Sequence, residues 1–185
     1  MESASRTPSS GSTKLIRYFP SPIKSFHTNS LKSQTMKNLF VKQDLESTTQ
    51  RLNQLTPKTQ AQWGKMNVAQ MLAHCNVAYD MAFTNQYTKP GAIKKFMLKL
   101  FVKSAVVGPK PYPKNGRTAP EFIIADERDF EVERKKLITY LNKVQELGAD
   151  HFQNKESHSF GPLSSQEWNV LFSKHLDHHL TQFGV

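Results

Sequence analysis

Apolar residues recur at three- and four-residue steps in four long stretches of the chain, which is the periodicity of amphipathic helices. The predicted main helices cover residues 39–55, 66–83, 126–147 and 165–182. The chain shows no internal repeat, and its one β-like run, Phe122-Ile123-Ile124, is short. Helices of this kind bury their apolar faces against one another, so the pattern predicts an all-α fold, an antiparallel four-helix bundle.

Residues at the predicted helix ends support these boundaries. Asn67 is placed to cap the second main helix, and the run 164–167 has the spacing of a capping box at the start of the last. Acidic residues within 126–129 would lie in the first turn of the third helix, where the helix dipole favours negative charge. Gly148 is a natural stop for that helix.

Between the second and third main helices, the sequence predicts an extra amphipathic helix over residues 92–107 and a long proline-rich loop over 108–120. Lys95, Lys99 and Lys103 form a stripe along this helix. Its apolar face could lie on a membrane surface or pack on its own protein. We expect packing on the protein, because that arrangement is the commoner one.

The chain divides into a short arm and one domain of a size that builds a single core. Residues 1–35 are rich in Ser, Thr and Pro and carry five basic residues against one acidic residue. Three interpretations stay open: a disordered basic arm, an organelle transit peptide, or a segment upstream of a true start at Met36. The domain is expected to span 36–185. The expected location is the cytoplasm, with a mitochondrion or plastid as the alternative if the arm is a transit peptide.

Composition narrows the classes of partner. The formal net charge is +10, which favours acidic partners but also fits an ordinary lysine-rich surface. No stretch interleaves basic and aromatic residues, so nucleic acid is a weak alternative. No run approaches 18 apolar residues, and an integral membrane segment is therefore not expected. Cys75 is the single cysteine, which excludes an internal disulfide and suits a reducing compartment.

Three histidines lie within five residues near the C-terminus, at His175, His178 and His179. On a helix, the i, i+4 spacing of His175 and His179 puts both imidazoles on one face, as metal ligands require. A third ligand must come from elsewhere. His74 is the leading candidate, because it lies on the predicted inward face of the second main helix. Three imidazoles suit zinc, nickel or a similar divalent ion and leave a coordination position open.

Other interpretations of these residues remain open. The i, i+4 pair alone fits a polar surface patch as well as a metal site. His178 lies about 100° around the helix from its neighbour and should face solvent or support the ligands from outside. If the third ligand is not on the second helix, His151 or His158 is next in line. Cys75 is expected to be turned away and buried as a small apolar residue.

Four segments of the chain resemble a known group of proteins. They are Trp63 to His74, Asp129 to Arg134, Phe160 to Trp168, and His175 to Gly184. Their sequence is similar to that of the DUF1569-type branch of uncharacterised proteins in the DinB/YfiT-like superfamily. The resemblance spans residues 37–185, and its last segment is the most specific.

The resemblance implies a four-helix bundle with an unusual connection order. It also implies a divalent metal held by one histidine of the second main helix and by an H-x-x-x-H pair of the last. Those positions correspond to His74, His175 and His179 in this chain. Some superfamily members are metal-dependent transferases that use low-molecular-weight thiols, whereas others have no known activity.

The leading hypothesis is therefore a divalent-metal-binding helical bundle with the potential to act as a metal-dependent thiol transferase or hydrolase. Its partner would be a small-molecule substrate, such as a low-molecular-weight thiol. The first alternative is a non-enzymatic bundle that binds a ligand or uses the histidines structurally. A basic protein that binds nucleic acid or a membrane surface is a weaker alternative. The sequence is also compatible with a homodimer.

Overall fold

A computed structural model describes Met1 and residues 36–185, so the predicted arm lies outside the described residues apart from Met1. The helices of the described part are α1 (Lys42–Gln54), α2 (Val68–Phe83), α3 (Ala92–Phe101), α4 (Lys103–Val107), α5 (Phe130–Phe152) and α6 (Ser165–Gln182). One antiparallel sheet pairs β1 (Lys155–Ser157) with β2 (Gly161–Leu163). The predominance of helices confirms the main part of the predicted fold class.

The four longest helices, α1, α2, α5 and α6, share one hydrophobic core. The largest fully buried side chains are those of Leu39, Leu52, Leu55, Met71, Leu72, Tyr79, Leu137, Leu141, Phe152, Leu163, Trp168 and Phe172. Buried residues recur at three- and four-residue steps along the helices, as at Leu45, Thr48 and Leu52 of α1 and at Leu137, Leu141 and Val144 of α5, as the amphipathic pattern predicts. Burial of their apolar surface provides most of the stabilisation of the fold.

A stack of aromatic rings joins α2 to α6. Tyr79 lies parallel to Phe172, with ring centroids 4.7 Å apart and planes inclined by 7°. Trp168 packs against Phe172 with ring centroids 5.3 Å apart and planes inclined by 32°. Because this contact fixes which sides of α2 and α6 face each other, His74 and His175 project into the same space between the two helices.

The third main helix is displaced from its predicted bounds of 126–147. α5 begins at Phe130 because the Asp129 side chain accepts a hydrogen bond from the Val132 amide at 2.8 Å and so caps the helix. The other acidic residues of the predicted first turn therefore precede the helix. Gly148 interrupts the helix with a φ of 70°, as expected of a stop, and a short helical turn follows it.

The β structure lies at a different place from the one β-like run of the sequence. Phe122 ends a 3-10 turn that begins at Pro120, so residues 122–124 form no strand. The hairpin of β1 and β2 went unpredicted because strands of three residues are too short to show an alternating pattern. Ser157 closes its turn by donating from Oγ to the Gly161 carbonyl at 2.8 Å.

The predicted helix over 92–107 is broken at Val102 into α3 and α4. The expectation that it packs its apolar face on the protein is wrong for α3, which has no buried residue, although Val107 of α4 is buried. Two lysines of the stripe, Lys95 and Lys103, face the protein instead and form ion pairs with glutamates of β1 and α6, whereas Lys99 is exposed. Within residues 36–185, every helix is too short or too polar to cross a bilayer.

Candidate metal centre

Helix α2 carries His74 into the space that faces α6. Asn67 caps the helix, as the sequence predicts, and Gln70 completes a capping box: the Asn67 side chain accepts from the Gln70 amide at 2.8 Å, and the Gln70 side chain accepts from the Asn67 amide at 3.1 Å. This cap satisfies backbone donors that the first turn leaves free. His74 follows about two turns later and is only 5% exposed.

Helix α6 carries His175 and His179. It too begins at the predicted capping box, in which Ser164 accepts from the Glu167 amide at 3.2 Å and Glu167 accepts from the Ser164 amide at 2.9 Å. The i, i+4 spacing places the two imidazole rings on one face, with centroids 4.9 Å apart. His179 is buried and His175 is half-buried.

The fold brings together His74, His175 and His179, the three histidines that the sequence favours as ligands. Their potential ligand atoms lie within 4.8 Å of one another, and Nε2 of His74 is 2.9 Å from Nε2 of His175. Two nitrogens bound to one tetrahedral zinc are about 3.3 Å apart, given zinc–nitrogen bonds of about 2.0–2.1 Å. The separation of Nε2 of His74 from Nε2 of His175 is therefore within a few tenths of an ångström of what one tetrahedral ion requires, and His179 lies near enough to be the third ligand.

The backbone fixes the tautomer of His74. Its Nδ1 lies 2.8 Å from the carbonyl oxygen of Phe122, which ends the 3-10 turn. A carbonyl can only accept a hydrogen bond, so Nδ1 of neutral His74 carries the proton and Nε2 carries a lone pair. That lone pair points toward His175, which is the orientation a metal ligand needs.

A glutamine fixes the tautomer of His179 in the same way. Gln182 donates from Nε2 to the Trp63 carbonyl at 2.6 Å, so its Oε1 must face Nδ1 of His179, 2.7 Å away. This Nδ1 therefore donates, and Nε2 of His179 carries the lone pair. Buried partners that orient histidines through the other ring nitrogen are typical of metal sites.

All three histidines favour the neutral form. Burial lowers the pKa of His74, and it lowers the pKa of His175 well below the usual range of a histidine. Burial, together with the neighbouring His74, lowers the pKa of His179 to about 3. Imidazole must be neutral to bind a metal, so these groups present ligand atoms at neutral pH without the loss of a proton.

Aromatic side chains surround the half-buried side of the cluster. Phe122 and Tyr112 approach the His175 ring at centroid distances of 5.7 Å and 6.3 Å. Tyr112 is itself held by a hydrogen bond from its hydroxyl to the Val106 carbonyl at 3.1 Å. Phe122 and Tyr112 form an aromatic wall, which a ligand that contacts His175 from this side would meet in addition to the imidazoles.

His178 lies beside the cluster and is not a member of it. Its ring packs edge-on between Trp63 at 5.9 Å and Tyr112 at 5.7 Å. This position agrees with the expectation that His178 turns away from the ligand face of α6. His178 contributes to the aromatic wall through its ring.

The remaining sequence candidates lie apart from the three histidines. His151 contacts the Lys155 ammonium at 2.8 Å, and His158 contacts the Ser159 hydroxyl at 2.9 Å. Cys75 is fully buried with its sulfur 3.8 Å from that of Met71, as expected of a small core residue. Burial raises the pKa of the Cys75 thiol, so this group is a poor nucleophile.

Three groups that orient the histidines were not predicted from the sequence. Gln182 could have been found, because it follows His179 by three residues and so lies on the same side of α6. The other two are the carbonyls of Phe122 and Trp63, which any residue type supplies. No pattern of side chains indicates a backbone acceptor that a loop contributes.

One family model matches the chain, over residues 34–184, and its description is "Protein of unknown function (DUF1569)". This match covers the cluster and every helix of the described part. No curated protein and no solved structure matches the chain.

Proposed function

The chain belongs to the DUF1569 family, and we propose that it is a divalent-metal-binding protein in which His74, His175 and His179 hold one ion, zinc or nickel. One observation carries the proposal. The Nε2 lone pair of His74 points at Nε2 of His175, 2.9 Å away, and the potential ligand atoms of all three histidines lie within 4.8 Å of one another, so one cation could accept electron pairs from all three.

The chemistry of the donors suits such an ion. Neutral imidazoles are preferred ligands of zinc, nickel and related late divalent ions, and three protein ligands leave a position for a further one. A bound ion of this kind supplies Lewis acidity, which lowers the pKa of a water or thiol that coordinates it. The protein would then act as a metal-dependent transferase or hydrolase.

The residues around the cluster have separate roles in this proposal. Phe122 and Gln182 hold two of the imidazoles in one tautomer and one orientation. Tyr112 and His178 limit the access of water at the half-buried side. Shielding from water strengthens electrostatic interactions within the site.

The substrate would be a small molecule, and a low-molecular-weight thiol is the leading class. The chain's own thiol, Cys75, is buried in the core, so a reacting thiol would have to come from solution. At the edge of the aromatic wall, the Lys114 ammonium lies 4.2 Å from the ring centre of Trp63. It would provide a counter-ion for a carboxylate on such a thiol.

We further propose that the four longest helices form a bundle of the DinB/YfiT-like type. The order of elements supports this assignment: α2 and α6 supply the histidines, and α3, α4 and the loop that follows them lie between the second and third main helices. The H-x-x-x-H pair on the last helix is the most specific point of similarity.

A non-enzymatic bundle is the second candidate. The 2.9 Å between Nε2 of His74 and Nε2 of His175 equals the length of a direct hydrogen bond, in which His175 donates. In that case, the three histidines would stabilise the contact of α2 with α6 without a metal. Metal content separates the two candidates.

The test is elemental analysis of the full chain purified without a histidine tag. We expect about one zinc or nickel per chain and the loss of most of this metal in His74→Ala, His175→Ala or His179→Ala, because each removes one of three ligands. A double variant should lose little more, since residues that share one partner are not additive. Full occupancy in His74→Ala would show that the third ligand is elsewhere.

His178→Ala and His158→Ala are the matched controls, because each removes a histidine from outside the cluster. Both should retain the metal. Chelation of wild-type protein should lower its melting temperature, and added zinc should restore it, because the ion binds the folded chain. A melting temperature that does not change on verified removal of the metal would favour the hydrogen-bonded alternative.

A further inference from the structure

Helix α3 presents an apolar face to solvent. Its exposed apolar side chains are Ile93, Phe96, Met97, Leu100 and Phe101. They are between 47% and 84% exposed, which is unusual for a cluster of large apolar groups on one helix. At about 100° per residue, all five fall within an arc of about 140°. The face is therefore continuous along a helix of about 15 Å.

The opposite side of α3 attaches to the protein through a lysine and a leucine. Lys95 forms an ion pair with Glu156 of β1. Just beyond the end of α3, Lys103 at the start of α4 forms another with Glu167 of α6 at 2.7 Å. Leu98 is half-buried and packs against the core. These contacts hold the helix with its apolar face outward.

Two lysines border the apolar face. Lys94 lies about 20° beyond one edge of the apolar arc, and Lys99 lies about 60° beyond the other, by the same helical geometry. Both are exposed, and α3 has no acidic residue. An apolar arc between lysines is the arrangement of a helix that lies in a lipid interface, with its apolar side chains among the acyl chains and its lysines at the headgroups.

We propose that α3 is a membrane-docking helix that binds anionic lipid surfaces in the plane of the bilayer. Charge complementarity favours this occupant, because the chain has a formal net charge of +10 and positive charge on both sides of the face. A second copy of the chain is disfavoured, since face-to-face contact would bring Lys94 and Lys99 against the same lysines. The proposal is independent of the metal.

The test is sedimentation of the full chain with vesicles of phosphatidylcholine, alone or with about one third phosphatidylserine. We expect binding to the anionic vesicles that is much stronger than to the neutral ones. Phe96→Ser combined with Leu100→Ser should weaken this binding at least about tenfold. Lys94→Gln combined with Lys99→Gln should weaken it about fivefold for each lysine.

Matched controls remove equivalent groups elsewhere. Val41→Ser with Val132→Ser removes two exposed apolar side chains, and Lys58→Gln with Lys135→Gln removes two exposed lysines. Both should bind as the wild type does. All variants retain residues 2–35, so any contribution of that basic segment is the same in each. Circular dichroism confirms that each variant is folded.

Three results would overturn the proposal. The first is wild-type protein that stays in the supernatant with both kinds of vesicle. The second is equal binding of the α3 variants and the wild type, which would locate lipid binding elsewhere. The third is self-association of wild-type protein without lipid that Phe96→Ser with Leu100→Ser abolishes, which would assign the face to contact between copies of the chain.

Discussion

Gly64 lies so close to Gln182 that a Cβ at position 64 would stand 2.5 Å from Nε2 of the glutamine. Gly64 has a φ of +88°, in the left-handed region that favours glycine. The same glutamine holds His179 through its Oε1. A glycine in the loop before α2 is therefore needed for the correct position of a side chain that orients a candidate ligand on α6.

Gly64→Ala should weaken metal binding and reduce stability. The left-handed backbone alone costs an alanine about 1–2 kcal/mol. Displacement of Gln182 should lower metal affinity about tenfold or more, since loss of a partner that orients a metal ligand typically costs 10–100-fold. Zinc titration and urea unfolding measure the two effects. Gly91→Ala is the control, because a Cβ there meets nothing within 4 Å. Equal zinc affinity of the two variants would contradict the role of Gln182.

Stability of the metal-free protein should fall as the pH falls below about 6.5, the pKa of histidine in an unfolded chain. Burial lowers the folded-state pKa of His179 to about 3. Between these values, the unfolded chain binds a proton that the folded chain does not. Each such histidine should remove about 1.4 kcal/mol of unfolding free energy per pH unit. Above about pH 6.5, both states are neutral and this dependence disappears.

Urea unfolding between about pH 8 and about pH 5 measures this dependence, and it stays above the range in which carboxylates titrate. His179→Gln removes one of the titrating groups and should reduce the slope below pH 6.5. The same slope in His179→Gln and wild-type protein would mean that His179 is not the source of the proton uptake.

Asp80→Ala should destabilise the protein by about 2–3 kcal/mol. The carboxylate is 3% exposed and accepts hydrogen bonds from Lys136 at 2.8 Å and from the Tyr140 hydroxyl at 2.6 Å. Lys136 reaches solvent, so the cost should remain below that of a fully buried pair. Glu131→Ala breaks the exposed ion pair with Arg134 and should cost less than about 1 kcal/mol. Similar melting temperatures of the two variants would refute the predicted difference in stability.

Lys174→Met should loosen the loop after α4. The Lys174 ammonium donates to the carbonyls of Ala105 at 2.8 Å, Gly108 at 2.6 Å and Lys110 at 3.2 Å. Without these bonds, amide hydrogen exchange should accelerate in the segment that leads to Tyr112, more than in the centre of α5. Lys143→Met, at an exposed site, should leave exchange in the loop unchanged. Uniform acceleration across both regions would indicate global destabilisation instead.

The sequence predicted the helices and the three clustered histidines for one physical reason. Amphipathic periodicity places a residue on a helix face, and His74, His175 and His179 all occupy inward faces of long helices. Because α2 and α6 bury those faces against each other, the histidines meet. The same periodicity failed at α3, where Lys95, and Lys103 at the start of α4, pair with glutamates while the apolar side faces outward. A periodic pattern identifies an apolar face but does not identify what covers it.

The partners that orient the histidines were harder to predict. The carbonyls of Phe122 and Trp63 belong to connecting segments whose course depends on the whole fold. The predicted start of α5, at residue 126, is four residues too early, and the reason is local. Asp129 caps the helix through its side chain, and a run of acidic residues does not indicate which of them is the cap.

The separation of the three histidines along the chain has a consequence for the order of folding. His175 and His179 come together as soon as one turn of α6 forms, whereas His74 precedes His175 by 101 residues. Its arrival requires α2 to dock and the intervening chain to close, at the entropic cost of a long loop. A partly folded chain would therefore offer an ion only two imidazoles. Three-ligand coordination becomes available only after α2 has docked on α6, and tight metal binding would therefore report the formation of that contact.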